Sequence, residues 1–288
     1  MISKTQVSCH FGRRSQAYDE YAVVQKSMGY SLLELVKEAG VFQNILEIGC
    51  GTGFLTTLLA QRYPMAKITA SDISSEMLTV ATKNLSQYEN VSFALEDGEN
   101  LKLSEKFDLI VSNAAFQWFN DYQQAFTQME RHLLPGGCLI YATFGEQTFY
   151  ELNQSFQAAH RSLEIKRVHH GPEFISMRKL TDITCGLGLS VHLEEENITE
   201  KFKGVREFLT SVKKIGANNS SKGENILIHR RLMLSMMDFY KNTFEQFGQI
   251  PATYHIIYGS HKKKKRTFWG QYLRYDLVDT FSKKVIQK

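Results

Sequence analysis

Residues Asn44-Ile-Leu-Glu-Ile-Gly-Cys-Gly-Thr-Gly-Phe54 set three glycines, Gly49, Gly51 and Gly53, directly after a β-branched run and before an amphipathic one. That spacing lets the chain turn tightly from strand to helix and lets a ligand approach backbone N–H groups at a helix start. On its own such a turn is either structural or a cradle for a dinucleotide pyrophosphate. Three carboxylates narrow the choice. Glu47 lies inside the strand, where an acceptor suits a cationic amino group and repels a pyrophosphate. Asp72, followed by Ile73, closes the next run, where a carboxylate takes both hydroxyls of a ribose or, failing that, caps a helix. Asp97-Gly98 closes the third, where it accepts from an adenine amino group or simply forms a turn.

These side chains are useful only if the elements bring them to one edge. From residue 44 to 143, β-branched runs (Asn44–Ile48, Ala66–Ser71, Val91–Leu95, Phe107–Ser112, Cys138–Thr143) alternate with helix-length amphipathic ones (Phe54–Tyr63, Ser75–Gln87, Tyr122–Leu133). That alternation predicts an α/β fold with parallel strands and crossover helices. Leu189–Ile198 and Ala252–Tyr258 read as two more strands, for a seven-stranded sheet. The expected division is an N-terminal helical cap over 1–43, a ligand-binding core over 44–145 and helical lid insertions over 146–188 and 203–249. The last strands fall in 189–202 and 250–260, and a basic tail in 261–288.

Composition excludes several classes. With 43% hydrophobic residues the chain is neither disordered nor collagen-like. No apolar run approaches the roughly 20 residues of a spanning helix, and Met1–His10 has no apolar signal stretch, so a cytoplasmic protein is expected. Cys9, Cys50, Cys138 and Cys185 are scattered without a CxxC pair, and His169-His170 has no nearby acidic or thiol partner, so no metal site is expected. The net charge of +4 is uneven: Lys201–Arg231 balances to +6 and Lys262–Lys288 to +7, leaving the rest acidic. A regional excess of this kind points to an acidic partner.

Taken together, Glu47-Ile-Gly-Cys-Gly-Thr-Gly53, Asp72, Asp97, Phe107-Asp-Leu-Ile-Val-Ser-Asn113 and Leu134-Pro-Gly-Gly137 resemble the motif series of class I S-adenosylmethionine-dependent methyltransferases. Phe11–Gln25, Ser112-Asn-Ala-Ala-Phe-Gln-Trp-Phe119, Thr143–Phe149 with Glu151-Leu152, and Ile215-Gly-Ala-Asn218 narrow the likeness. They look like the malonyl-acyl carrier protein O-methyltransferase family, over about residues 10–260. The tail after Gly259 is not a feature of that family.

The resemblance implies a Rossmann-like class I methyltransferase fold with a mostly parallel seven-stranded sheet and a helical lid. S-adenosylmethionine is the implied cofactor, S-adenosylhomocysteine its product, and malonyl-acyl carrier protein the acceptor, esterified on its free carboxylate at the start of biotin synthesis. The implied cofactor residues are Glu47, Gly49, Gly51, Gly53, Asp72, Ile73, Asp97, Gly98 and Asn113. A carboxylate with a pKa near 4 is already ionised at pH 7, so this chemistry needs alignment and exclusion of water rather than a base. Tyr18 is the first candidate, on an N-terminal helix able to close over the cofactor; its other reading is a core aromatic beside Tyr21. Asn113 and Gln117 follow the fourth strand and face the reacting methyl, with Trp118 a packing residue or a third wall. Arg178 in the lid is the candidate guanidinium for the acceptor carboxylate. Lys201, Lys203, Arg206, Lys213, Lys214, Arg230 and Arg231 are the expected docking charges for the acidic carrier protein. Rival readings are a methyltransferase for another small carboxylate or a quinone-type acceptor, a nucleic-acid enzyme using Lys262–Arg266 with Phe268 and Trp269, and a non-catalytic scaffold.

Overall fold

In the computed structural model, which describes residues 3–4, 22–166, 174–214 and 226–264, the β-branched runs form one seven-stranded sheet. Its strands are β1 (Asn44–Ile48), β2 (Lys67–Asp72), β3 (Val91–Leu95), β4 (Phe107–Asn113), β5 (Leu133–Phe144), β6 (His192–Phe202) and β7 (Ile250–Lys262), in the order β3-β2-β1-β4-β5-β7-β6. The first five pair in parallel, and β7 lies antiparallel between β5 and β6. Strand order reverses between β1 and β4, and in open α/β sheets a ligand crevice opens at that point, beyond the carboxyl ends.

Helices cover both faces. On one lie α1 (Val23–Ala39) and α2 (Phe54–Arg62), with α5 (Tyr150–Ser162), α7 (Val205–Lys214) and α8 (Ile226–Phe244) joining the same apolar cluster. The fit of α1 follows from its spacing: Val24, Met28, Leu32 and Val36 recur every fourth residue and are all buried. On the other face α4 (Tyr122–His132) packs against α6 (Met177–Gly186) over Phe116 and Tyr141. Between β2 and β3, α3 (Ser75–Asn84) closes the sheet edge with Ala81, against Cys50 and Ala70. Helix starts follow the sequence signals, since Ser74, Asp121 and Ser176 accept the N–H of Met77, Gln124 and Lys179.

Three differences from the sequence expectations have physical reasons. The segment expected as one lid over 146–188 is divided, with α5 on the face of α1 and α6 on the opposite face against α4. Periodicity marks a helix but not the face it covers. β5 begins at Leu133, ahead of the expected Cys138, because Leu133 already pairs with Phe107 of β4, the Leu-Pro-Gly-Gly stretch between Leu133 and Cys138 forming an irregularity in the register. β7 continues to Lys262, past the expected Tyr258, because pairing on both sides outlasts the apolar pattern. There His261 is buried, its ring nitrogens bonded to the Ser190 carbonyl and the Tyr141 hydroxyl, and Lys263 ion-pairs with Glu130 at 2.9 Å. Residues 261–263 of the expected tail therefore belong to the sheet and its margin. No helix among the described residues is long and apolar enough to cross a membrane.

Candidate functional site

At the reversal point β1 ends and the glycine turn is stitched to its neighbour: Gly49 N and Cys50 N both donate to the Ser71 carbonyl, at 2.8 and 2.9 Å. Gly51 (φ +54°) faces open space where a side chain would project, whereas a Cβ on Gly53 (φ +91°) would come within 2.5 Å of Leu85 Cδ1. The two positions share a backbone requirement and differ in purpose. Gly51 keeps the trough open, and Gly53 lets α2 start against α3.

The turn divides a trough into two lobes that share Gly49, Gly51 and Asn113. The larger, a cleft of about 690 Å³, runs over Ile48, Asp72, Ile73, Asp97, Gly98 and Phe119. Asp72 Oδ2 accepts Gly51 N at 2.9 Å and Oδ1 accepts Ser74 N at 2.8 Å, leaving lone pairs on both oxygens for hydroxyl donors. Burial raises its carboxyl pKa from the ordinary value, opposed by the N–H groups of Ser74, Gly51 and Ile73. At the far end Asp97 accepts Glu99 N at 3.0 Å and the Lys4 ammonium at 2.8 Å, and Lys4 also pairs with Glu99.

The smaller lobe lies between β1, α2 and the first turn of α1. Glu47 is 1% exposed and its carboxyl accepts the Thr56 hydroxyl at 2.6 Å. Burial pushes its pKa up to about 7, against the Thr56 bond and with a small addition from Asp72. A buried carboxyl with one neutral donor is half-satisfied, and an ammonium group would complete it. At the junction Asn113 donates to the Gln25 carbonyl at 2.9 Å, while its Oδ1 is buried with no partner among the described residues.

The structure thus brings Glu47, Gly49, Gly51, Asp72, Ile73, Asp97, Gly98 and Asn113 to one trough. Gly53 stands behind the turn. Gln117, expected to face a reacting group, instead turns back to donate to the Ala114 carbonyl at 2.5 Å, supporting a turn in which Ala114 has φ +52°, and it lines neither lobe. Arg178, expected to reach an acceptor, is exposed on α6 and also lines neither lobe. Tyr18, Cys9 and His169-His170 lie outside the described residues. Sequence reading overlooked Thr56, whose signal was a polar residue on the buried face of α2. It also overlooked Lys4 and Lys26, which carry no motif. The trough suits an adenosine joined to an amino acid: carboxylates for ribose and adenine in one lobe, an acceptor for an ammonium group in the other, and an open turn between them.

Comparison with known proteins agrees with this geometry. A family model described as a methyltransferase domain matches residues 42–203. A malonyl-[acyl-carrier protein] O-methyltransferase of Acetivibrio thermocellus is 39% identical over 273 residues, covering 92% of this chain and 95% of the relative. One of Bacillus cereus is 39% identical over 264 residues, covering 90% and 97%. Among solved structures the YcgJ protein of Bacillus subtilis is similar in fold, with a TM-score of 0.59 at 18% identity over 82% of this chain and 99% of that one. Identity at this level over nearly the whole of both chains, on a class I methyltransferase sheet, means that the chain belongs to the malonyl-acyl carrier protein O-methyltransferase family.

Proposed function

We propose that the protein transfers the methyl group of S-adenosylmethionine to the free carboxylate of malonyl-acyl carrier protein, giving the methyl ester that primes pimeloyl and biotin synthesis. The observation that carries this reading is the two-lobed trough, whose acidic groups match a nucleoside on one side of Gly51 and an amino acid on the other. When bound, the cofactor supplies a sulfonium-activated methyl group. Asp72 holds the ribose, Asp97 with Gly98 the adenine edge, and Glu47 the ammonium, while Asn113 at the junction offers its unpartnered oxygen beside the reacting centre. Gln117 acts one step back, by fixing the turn that follows Asn113.

No side chain is needed as a base, because the acceptor carboxylate is ionised at neutral pH. The protein's task is to align an anion with a cation and keep water away as their charges cancel. We assign closure of the trough to the N-terminal segment with Tyr18, and acceptor-side cover to α5, α7 and α8, which join the apolar cluster of α1. Docking of the acidic carrier protein falls to the basic run. On α7, Val205, Phe208 and Val212 face the core while Arg206, Lys213 and Lys214 are exposed, and Lys201, Lys203, Arg230 and Arg231 are exposed beside them. A charged face of this kind raises encounter rates and orients a partner more than it adds raw affinity. The site of action in this reading is the cytoplasm.

The direct test is mass spectrometry of malonyl-carrier protein incubated with enzyme and S-adenosylmethionine. A gain of one methyl group on the malonyl moiety is expected. No gain there, with methylation of an aconitate-type acid or a quinone precursor instead, would replace the acceptor and keep the cofactor chemistry.

A further inference from the structure

Resting on that reading, we infer that Lys26 is the residue that holds the α-carboxylate of the cofactor's amino-acid part, so that Glu47 and Lys26 together recognise a zwitterion. The two charges of an α-amino acid sit on one carbon, so a lobe that accepts the ammonium at Glu47 must offer the carboxylate something close by. The described residues lining this lobe include one anion, Glu47, and one cation, Lys26. Lys26 is set in the first turn of α1 by its own N–H bond to the Ala22 carbonyl at 2.9 Å. The Asn113 side chain anchors the same turn through the Gln25 carbonyl, at the point where the two lobes meet. Its ammonium lies 5.7 Å from the centre of the Phe54 ring, so the aromatic at the start of α2 holds the cation against the lobe wall. A carboxylate entering between Glu47 and Phe54 meets a positive charge on a half-buried side chain, where opposite charges attract more strongly than in bulk water.

The same cation could instead serve the acceptor's carboxylate, and binding measurements separate the two. Calorimetry of Lys26→Met and Lys26→Arg should be run with S-adenosylhomocysteine, which carries the α-carboxylate, and with 5′-methylthioadenosine, which has the same nucleoside and no amino-acid part. Lys26→Met should weaken S-adenosylhomocysteine roughly ten- to hundredfold, leave methylthioadenosine unchanged, and be largely rescued by Lys26→Arg. Equal loss on both ligands would mean that Lys26 serves the packing of α1, and would overturn the inference. Unchanged S-adenosylhomocysteine binding with a raised KM for malonyl-carrier protein would overturn it in favour of the acceptor. Wild-type protein that bound neither nucleoside would overturn the reading of the trough itself.

Discussion

Asp72 and Glu47 end up on opposite sides of the same glycine turn, and their surroundings make them different reagents. Asp72, at the tip of β2, accepts backbone N–H groups from Gly51 and Ser74 that favour its charged form. Glu47, inside β1, has a carboxyl that accepts the Thr56 hydroxyl, and burial lifts its pKa to about 7. The lobe at Asp72 therefore has a carboxylate already held by backbone donors, whereas the lobe at Glu47 has a buried carboxyl with one neutral side-chain donor. The contrast follows from position. A strand tip meets the free N–H groups of the next turn, and a strand interior has already given its backbone groups to the sheet.

The largest way to break this contrast is Asp72→Ala. It removes two hydrogen bonds to a charged group, each worth roughly 1.5–3 kcal/mol, so cofactor binding should weaken by about a hundredfold or more. Release of the Gly51 N–H should also loosen the turn that both lobes share. Calorimetry on a variant with a wild-type circular dichroism spectrum checks this, and near-normal affinity would remove Asp72 from the site.

Glu47 should show a pH response close to neutrality, because burial pushes its pKa up to about 7. Its pKa is raised in the folded state, so between its ordinary value and about 7 the native protein holds a proton that the unfolded chain has lost. Stability of the ligand-free protein is therefore greatest below the ordinary carboxylate pKa and falls as pH rises through about 7, by about 3 kcal/mol at most. Cofactor affinity should run the other way, rising with pH until Glu47 is fully ionised. Glu47→Gln should flatten both slopes, costing roughly tenfold in affinity at pH 8 and little at pH 6. Thermal unfolding with and without S-adenosylhomocysteine across pH 5–8 reads both. Single-turnover rates at saturating cofactor should stay flat across that range, since no enzymic base is required.

The trough of the candidate site was legible because its residues lie within a few positions of strand ends, and strand ends are what β-branched runs and glycines mark. Glu47, Asp72, Asp97 and Asn113 could be placed at one edge from the alternation of elements alone. Two residues fall away from the trough for lack of that local tie. Gln117 turned inward because the strained turn at Ala114 needs a donor for its carbonyl, which spacing from β4 does not reveal. α6 went to the far face of the sheet, and Arg178 with it, because its apolar side matches α4. Lys26 was missed for the same reason in reverse, since an isolated lysine on a helix has no sequence signal until Phe54 and Glu47 are seen beside it.

A smaller effect extends the comparison from the trough to the rim. The trough charges are buried or half-buried, while those on α7 are exposed and screened by salt. Reversing Arg206, Lys213 and Lys214 to Glu should raise the KM for malonyl-carrier protein several-fold, roughly up to tenfold, and more so at low ionic strength. It should leave the KM for malonyl-coenzyme A and the affinity for S-adenosylhomocysteine near wild type. Equal loss on both acceptors would give these charges to a shared pocket or to folding.

The smallest effect belongs to Arg178, and its value lies in being small. A guanidinium that held the acceptor carboxylate would be felt on every acceptor as a large loss in kcat/KM, because removing one partner of a charge-assisted pair strands the other. In the structure Arg178 is exposed near the start of α6, next to Lys179, whose ammonium lies 5.4 Å from the centre of the Tyr122 ring on α4. α6 and α4 pack on the face of the sheet opposite the one that carries α1 and α2. Arg178→Ala should therefore change kcat/KM by less than about twofold with either thioester and stability by less than about 0.5 kcal/mol, as for other exposed substitutions. A tenfold loss of kcat/KM with unchanged cofactor binding would show that α6 comes round to the acceptor side during turnover, and would return the guanidinium to the reacting carboxylate.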